Sequence, residues 1–120
     1  MIFFPSDGSA PKITSPEENI VAVSGENEVT IEIGGNLTTV VGTGVMILCP
    51  VMALPNATIT WLFNGSSVEE ENIRSGAVTM IGVTPENVGS YTCIARNSYG
   101  VASKTTFLSL ISKKISLFSC

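Results

Sequence analysis

The sequence contains no histidine and no pair of cysteines with C-x-x-C spacing. Histidine is the commonest general base and the commonest metal ligand, so its absence argues against Ser-His-Asp and metal-dependent mechanisms. The three cysteines do not form a recognisable zinc site. Glu69, Glu70 and Glu71 are consecutive, so their carboxylates point apart and are expected in a solvated loop rather than around calcium. We expect no enzyme activity, no catalytic or metal-binding residue and no cofactor.

Charge is also scarce. Charged residues make up 13% of the chain, and the formal net charge is −4. An acidic chain is a poor match for nucleic acid, which is bound by clustered Lys and Arg. Lys113 and Lys114 are the only basic cluster and are too few for stable membrane attachment. The uncharged stretch 33–68 is interrupted by Gly, Pro, Asn and Thr, so it does not predict a membrane-inserted segment.

The length of 120 residues allows one domain with a sizeable core. Residues 1–18 are rich in Pro and Ser and are interpreted as a linker or as the lead-in of an edge strand. Residues 19–111 are assigned to the domain, and residues 112–120 to a C-terminal tail. Short alternating segments separated by turn residues recur through the domain, and this pattern predicts an all-β sandwich.

Alternation assigns one face of each predicted strand to the core. The strands include Val45–Val51, Ala57–Phe63, Ala77–Val83 and Ser90–Arg96, and a last strand ends near Leu110. The predicted inward residues are Val45, Ile47, Cys49, Val51, Val78, Met80, Tyr91, Cys93 and Ala95. Asn64-Gly65 predicts a type I′ hairpin, because both central positions of that turn need positive φ.

The segment Asn19–Ile33 echoes Asn36–Cys49, since each has an Asn, a short apolar segment, a Gly turn and a second strand. Two interpretations stay open: a rudimentary repeat, or the chance likeness of short hairpins. Under either, we expect Glu28–Ile33 to form the first strand of the sandwich.

Four residues have a diagnostic spacing. Trp61 follows Cys49 by 12 positions, Cys93 follows it by 44, and Tyr91 precedes Cys93 by two. The set resembles the immunoglobulin superfamily, and the resemblance implies an inter-sheet Cys49–Cys93 disulfide, Trp61 packed on it, and a Tyr91 hydroxyl that closes a corner. The implied fold is an immunoglobulin-like β-sandwich of two antiparallel sheets with Greek-key connections.

Two further motifs strengthen this resemblance. The segment from Asn87 to Cys93 resembles the family's Asp-x-Gly-x-Tyr-x-Cys signature, and the run from Cys93 to Gly100 resembles the Cys-x-Ala-x-Asn-x-x-Gly run of I-set domains. Because the interval between Trp61 and Cys93 is too short for the two additional strands of a variable-type domain, we expect an I-set or C2-like sandwich. Asn87 stands where the family usually has Asp, and Arg74 is the expected partner of this side chain.

A narrower resemblance concerns Cys49-Pro50-Val51, then Pro55, then Ile59-Thr60-Trp61. These strings are similar to immunoglobulin repeats of matrix proteins of the ADAMTS-like and papilin group. The resemblance implies a non-catalytic extracellular module for protein–protein interaction or spacing in a larger secreted protein. The alternative is a ligand-recognition domain of a cell-surface adhesion molecule or receptor.

Three N-glycosylation sequons begin at Asn36, Asn56 and Asn64, and all lie in the uncharged stretch. They favour an extracellular location, although I-set domains also occur in muscle cytosol, where cysteines stay reduced. Two interpretations of the uncharged surface stay open: glycans shield it, or Ser and Thr hydroxyls keep it soluble unaided.

Partner contacts are expected in the loops Met52–Ala57 and Asn97–Gly100. Tyr99, beside Arg96, is the best single anchor, because exposed aromatic residues have interface character; alternatively it is a turn residue that packs on its own domain. Cys120 is left over and either forms an intermolecular disulfide or marks a chain end without a role. The partner protein itself is not identified by the sequence.

Overall fold

The computed structural model of the chain describes residues 8–15, 19–22 and 28–111. Within them lie twelve strands and two short 3-10 helices. The strands are β1 Ser9–Ile13, β2 Asn19–Ala22, β3 Glu28–Glu32, β4 Gly35–Val40, β5 Gly44–Leu48, β6 Val51–Leu54, β7 Thr58–Phe63, β8 Ser66–Ser67, β9 Ile73–Arg74, β10 Ala77–Met80, β11 Gly89–Asn97 and β12 Gly100–Ile111. The 3-10 helices are Glu70–Asn72 and Pro85–Asn87.

The strands form three sheets that pack as the predicted sandwich, and β1 with β6 makes the smallest of them. The four-stranded sheet has the order β3-β5-β10-β9, and the six-stranded sheet has the order β2-β4-β12-β11-β7-β8. Beyond Cys49 and Pro50 the chain continues from β5 into β6, which pairs with β1. Most neighbours are antiparallel, but β3 with β5, and β4 with both β2 and β12, are parallel.

The core lies between the four-stranded and the six-stranded sheets, and it is formed by the side chains that alternate inward along their strands. In β11 the side chains of Tyr91, Cys93 and Ala95 are buried, while their sequence neighbours are more exposed. The core cluster comprises Ile31, Ile33, Leu37, Val45, Ile47, Trp61, Val78, Met80, Val83, Tyr91, Cys93 and Leu108. Of the predicted inward residues, Cys49 and Val51 are only partly buried.

The first strand is not where the sequence led us to expect it. Glu28–Glu32 does form a strand at the edge of the four-stranded sheet, but β1 and β2 precede it. Part of segment 1–18 is therefore paired in the sandwich, as β1. The domain limits 19–111 and the tail 112–120 stay predictions, and the tail lies outside the described residues.

Hydrogen bonds of Ser15 connect the residues that follow β1 with Ile33 after β3 and with Lys104 in β12. Ser15 is buried, and its Oγ donates a hydrogen bond to the carbonyl of Ile33 at 2.7 Å. Lys104 Nζ donates to the carbonyl and Oγ of Ser15 at 3.1 and 2.9 Å. The Ile33 amide donates a hydrogen bond to the carbonyl of Leu48 in the four-stranded sheet. After Ile33 the chain enters the six-stranded sheet, where β4 pairs with β12.

The hairpin between β7 and β8 follows the predicted turn chemistry. Asn64 and Gly65 have φ of 51° and 89°, and Phe63 pairs with Ser66 across the turn. Both positive φ values match the type I′ turn expected of Asn-Gly. After β8 the chain passes through the Glu70–Asn72 helix and enters the four-stranded sheet at β9. No further strand lies between β8 and β9.

Candidate interaction surfaces

The centre of the sandwich is the predicted disulfide, which is present between Cys49 and Cys93 with a Cα–Cα distance of 6.4 Å. Trp61 lies directly opposite Cys93 across β7 and β11 and is 3% exposed. Its Nε1 donates a hydrogen bond to the Gly76 carbonyl at 3.0 Å, so the buried polar end of the indole is satisfied. These residues hold the two sheets together.

Tyr91 closes a corner of the same core. Its hydroxyl donates a 2.6 Å hydrogen bond to the Asn87 carbonyl, four residues earlier. Its ring centroid lies 4.7 Å from that of Phe63 on the neighbouring strand. Burial raises the pKa of Tyr91 to about 12, although the hydrogen bond with Asn87 acts in the opposite direction. The phenol is therefore neutral at physiological pH and serves the scaffold.

The prediction that the Asn87 side chain pairs with Arg74 is wrong. Its Oδ1 accepts from the Thr84 amide at 2.8 Å, and the Thr84 hydroxyl in turn accepts from the Glu86 amide at 3.3 Å. This reciprocal cap satisfies the start of the Pro85–Asn87 helix. Arg74 instead lies in β9 opposite Ala77. A short side chain next to a helix start is satisfied locally, so no long-range charged partner is needed.

The acidic run does not form a reactive cluster. Glu70 and Glu71 lie in the first 3-10 helix, Glu69 precedes it, and all three are exposed. Within the described ranges, no group of three His, Cys, Asp or Glu side chains is placed to hold a metal ion. A cavity of about 200 Å³ beside the corner is lined by residues that include Glu69, Met80 and Tyr91. Its titratable groups are Glu69 and the neutral Tyr91.

One end of the sandwich is tied together by Asn97. Its Nδ2 donates to the carbonyls of Ser9 and Pro55 at 2.8 and 3.0 Å. Its Oδ1 accepts from the amides of Tyr99 and Gly100 at 2.8 and 3.2 Å. We call this region, formed by residues 8–9, 54–57 and 97–100, the loop end. One side chain thus fixes three separate chain segments, and sequence reasoning did not single it out.

Tyr99 is half exposed at the loop end, with 49% of its surface accessible. Gly8 lies against its ring, because a Cβ added at Gly8 would overlap both the ring and the Leu54 carbonyl oxygen. Leu54 is itself 59% exposed. Tyr99 therefore combines the two interpretations: one part of its ring packs on its own domain, and the rest is accessible beside an exposed leucine.

The other expected contact residues lie in strands that border the loop end. Arg96 is exposed and pairs with Thr58 and Val101 across the six-stranded sheet. The segment Met52–Leu54, expected in a loop, belongs to β6 and is held by pairing with β1. The loop proper is confined to the residues between Leu54 and Thr58.

The outer face of the six-stranded sheet is a second exposed surface. On β12, Thr106 and Leu108 are buried, so the alternate residue Phe107 points outward and is 53% exposed. Phe107 lies between Ser90 of β11 and Asn36 of β4. Sequence reasoning did not select Phe107, although strict alternation along β12 would have placed it outward.

The three sequon asparagines are exposed but differ in their surroundings. Asn36 lies within β4, and Asn56 lies in the loop between β6 and β7. Asn64 occupies the hairpin turn, where its Oδ1 accepts from the Ser90 amide at 2.9 Å. A Cβ at Gly89 would overlap the Asn64 side chain, so glycine allows this close approach.

The comparisons with known proteins agree with this geometry. The immunoglobulin domain family matches residues 28–97, and the chain therefore belongs to that family. Human ADAMTS-like protein 3 is 36% identical over 107 residues, which are 88% of this chain and 6% of that protein. The predicted relation to ADAMTS-like proteins is confirmed. Members of the family are typically non-catalytic.

Two further similarities extend the comparison. Human contactin-4 is 41% identical over 70 residues, which are 54% of this chain and 7% of that protein. The crystal structure of neural ectodermal development factor IMP-L2 superposes with a TM-score of 0.66 and 24% identity over 91% of this chain and 46% of that one. The chain thus spans a small part of either curated relative. The part of the chain that the structure describes holds no helix long and apolar enough to cross a membrane.

Proposed function

We propose that the chain is a non-catalytic extracellular module that mediates protein–protein contacts or spacing within a larger secreted matrix protein. The match to ADAMTS-like protein 3 over most of the chain supports this assignment, and the relatives are matrix and adhesion proteins. The Cys49–Cys93 disulfide supports an oxidising compartment. The short β8 and the return of the chain to β9 support the I-set type.

The observation that carries the interaction role is the loop end. Tyr99 and Leu54 are exposed apolar side chains. Asn97 holds the backbone beneath them through four hydrogen bonds. A surface that is already ordered loses less conformational entropy on binding. Aromatic and arginine side chains dominate binding energy at interfaces, so Tyr99 is the proposed central contact and Arg96 a second one.

The test is recovery of extracellular proteins on the immobilised, disulfide-bonded domain. The double variant Tyr99→Ala, Leu54→Ser should lose recovery of a specific partner by on the order of tenfold, as expected of a central contact. Ile81→Ser is the matched control, because Ile81 is 80% exposed beside the Gly42 turn, at the opposite end of the sandwich. Equal recovery by all three proteins would refute the loop-end interface.

A second candidate is a ligand-recognition domain of a cell-surface adhesion molecule or receptor. The 41% identity to contactin-4 over 70 residues favours it. The two candidates differ in where the whole protein resides. Fractionation of cells that express it should place it in the medium and matrix under the first proposal, and in the surface-biotinylated membrane fraction under the second.

Two covalent features complete the proposal. We propose that Asn36, Asn56 and Asn64 carry glycans, since all three are exposed. Mass spectrometry of glycopeptides from secreted protein measures each site, and an aglycosylated secreted product would contradict the proposal.

Cys120 lies outside the described residues, and its proposed role is an intermolecular disulfide. A dimer in non-reducing electrophoresis that Cys120→Ser abolishes is expected, and a monomer in both proteins would exclude it.

A further inference from the structure

Among the described residues, Phe107 is a large apolar side chain that belongs neither to the core cluster nor to the residues packed against it. It is 53% exposed on the outer face of β12, while Thr106 and Leu108 on either side of it are buried. On one side it lies opposite Ser90, and on the other it lies opposite Asn36. Asn36 is exposed on the same face, because Leu37 after it is fully buried. The exposed aromatic ring and a sequon asparagine are thus cross-strand neighbours.

In the part of the chain that the structure describes, the strand neighbours of Phe107 on its own face are polar and uncharged. Its neighbours along β12 on the same face are Thr105 and Ser109. Thr105 shares a 2.8 Å hydrogen bond with Thr92 of β11. Ser90 and Asn36 complete the ring of neighbours with a hydroxyl and an amide. The one aromatic ring is therefore framed by neutral donors and acceptors.

We propose that Asn36 carries an N-linked glycan whose first N-acetylglucosamine packs on the ring of Phe107. This proposal rests on the extracellular location proposed above. In the modification, the Nδ2 amide nitrogen of Asn36 bonds to C1 of a lipid-diphosphate-linked oligosaccharide and loses a proton, and the lipid diphosphate leaves. The linked sugar then covers Phe107, and the neighbouring hydroxyls bind its polar rim.

The chemistry of the surface fits a sugar. A pyranose ring has a face of C–H groups and a rim of hydroxyls, which match an aromatic face and the donors and acceptors of Ser and Thr. None of the described strand neighbours of Phe107 is charged, so covering them with a sugar does not carry the cost of burying an ion. Adjacent strands lie about 4.8 Å apart, so a sugar attached to Asn36 reaches the Phe107 ring without movement of the backbone.

The other two sequons offer different settings. The Asn64 side chain is held by the Ser90 amide and packs against Gly89 at a turn. Asn56 lies in the loop after Pro55, at the loop end where β12 begins, whereas Phe107 lies further along β12. Asn56 is therefore the matched control, since its glycan is attached to the same domain but has no strand register with Phe107.

The test is a double-mutant cycle on secreted, glycosylated protein. Asn36→Gln and Phe107→Ala should each lower Tm by about 4 °C, and the double variant should fall no further than either single one. Asn56→Gln should be additive with Phe107→Ala. In protein made without glycosylation, Phe107→Ala should change Tm by less than about 1 °C, because an exposed side chain then has no partner.

Two measurements identify the contact itself. An endoglycosidase that leaves one sugar on Asn36 should preserve Tm, whereas complete removal of the glycan should lower it to the value of Asn36→Gln. Nuclear Overhauser contacts between the N-acetyl methyl group of that sugar and the Phe107 ring are expected. Their absence, together with additivity of the Asn36 and Phe107 variants, would overturn the proposal.

The outcomes separate this proposal from the one on which it rests. An occupied Asn56 with an empty Asn36 rejects the glycan contact and leaves the extracellular assignment intact. A glycan on Asn36 together with additive Tm effects of Asn36→Gln and Phe107→Ala also rejects the contact and leaves the extracellular assignment intact. Failure of all three sequons to be modified in a secreted protein rejects the proposed glycoprotein itself, and the glycan contact with it.

Discussion

The two faces of the six-stranded sheet differ in what constrains them. On the inner face, Trp61, Tyr91 and Cys93 are almost fully buried, and each is held by a hydrogen bond or a disulfide. On the outer face, Thr105 and Phe107 are partly or largely exposed among neutral polar neighbours. Burial makes the inner residues necessary for folding. The outer residues are free to serve a glycan or a partner without affecting the core.

The largest expected effect is on the inner face. Replacing Cys49 and Cys93 together with alanine should lower the free energy of unfolding by about 4 kcal/mol, because the disulfide closes a long loop in the unfolded chain. Urea denaturation of the variant measures the loss. Wild type treated with a reductant is the control and should show a similar loss. A loss below about 1 kcal/mol would mean that packing alone holds the sheets.

Two adjacent threonines compare the faces directly. Thr106 is fully buried and its Oγ1 accepts a hydrogen bond from the buried Gly34 amide at 2.6 Å, whereas Thr105 is on the outer face. Thr106→Val should cost about 2 kcal/mol, because the buried amide is left unsatisfied, and Thr105→Val only about 0.5 kcal/mol, because water replaces part of its hydrogen bond with Thr92. Chemical denaturation measures both. Equal costs would contradict the contrast between the faces.

Tyr91 gives the inner face a pH dependence. The unfolded phenol loses its proton near pH 10, whereas the folded one keeps it until about 12. Between these values the unfolded state binds fewer protons, so stability is complete below pH 10 and falls as pH rises, by roughly 1–2 kcal/mol.

Tyr91→Phe should abolish this alkaline fall and cost about 1 kcal/mol at neutral pH through the lost hydrogen bond. Thermal unfolding between pH 9 and 12 provides the measurement. Tyr99→Phe is the control and should retain the fall. Persistence of the full fall in Tyr91→Phe would assign it to another group.

The smallest expected change concerns the loop end. Asn97→Ala should cost about 1 kcal/mol, because water replaces part of the lost hydrogen bonding at this partly exposed site. Asn97→Asp should cost at least as much, since a carboxylate cannot donate to the carbonyls of Ser9 and Pro55. Hydrogen exchange at Tyr99 and Gly100 should accelerate in both. A wild-type exchange pattern in Asn97→Asp would show that the hydrogen bonds of Asn97 do not hold the loop end.

The inner face was predictable from the sequence because its signals are local or regularly spaced. The alternation of Tyr91, Cys93 and Ala95 and the positive φ required at Asn64 are properties of short segments. In contrast, Ser15 is bound by Lys104, which is remote from it in sequence. Such contacts leave no periodic signal in the chain.

The same reason explains the candidate surfaces. Tyr99 could be selected as an aromatic residue in a turn, but its packing on Gly8 depends on the tertiary structure. Asn97 was visible only as a motif position, since its partners Ser9 and Pro55 come from other segments. Arg74 was predicted as the partner of Asn87 from the pattern of the family, but Asn87 Oδ1 instead accepts a hydrogen bond from the nearby Thr84 amide.

The parallel pairing of β4 with β12 has a mechanical consequence. Gly35 begins β4 opposite Thr106, and Val40 ends it opposite Ile111. A pull on the chain before Gly35 and an opposite pull on the chain after Ile111 would load this row of hydrogen bonds in shear. Bonds loaded in shear break together rather than one at a time. A force applied through these two strands would therefore meet high resistance, because the whole row of hydrogen bonds has to break at once.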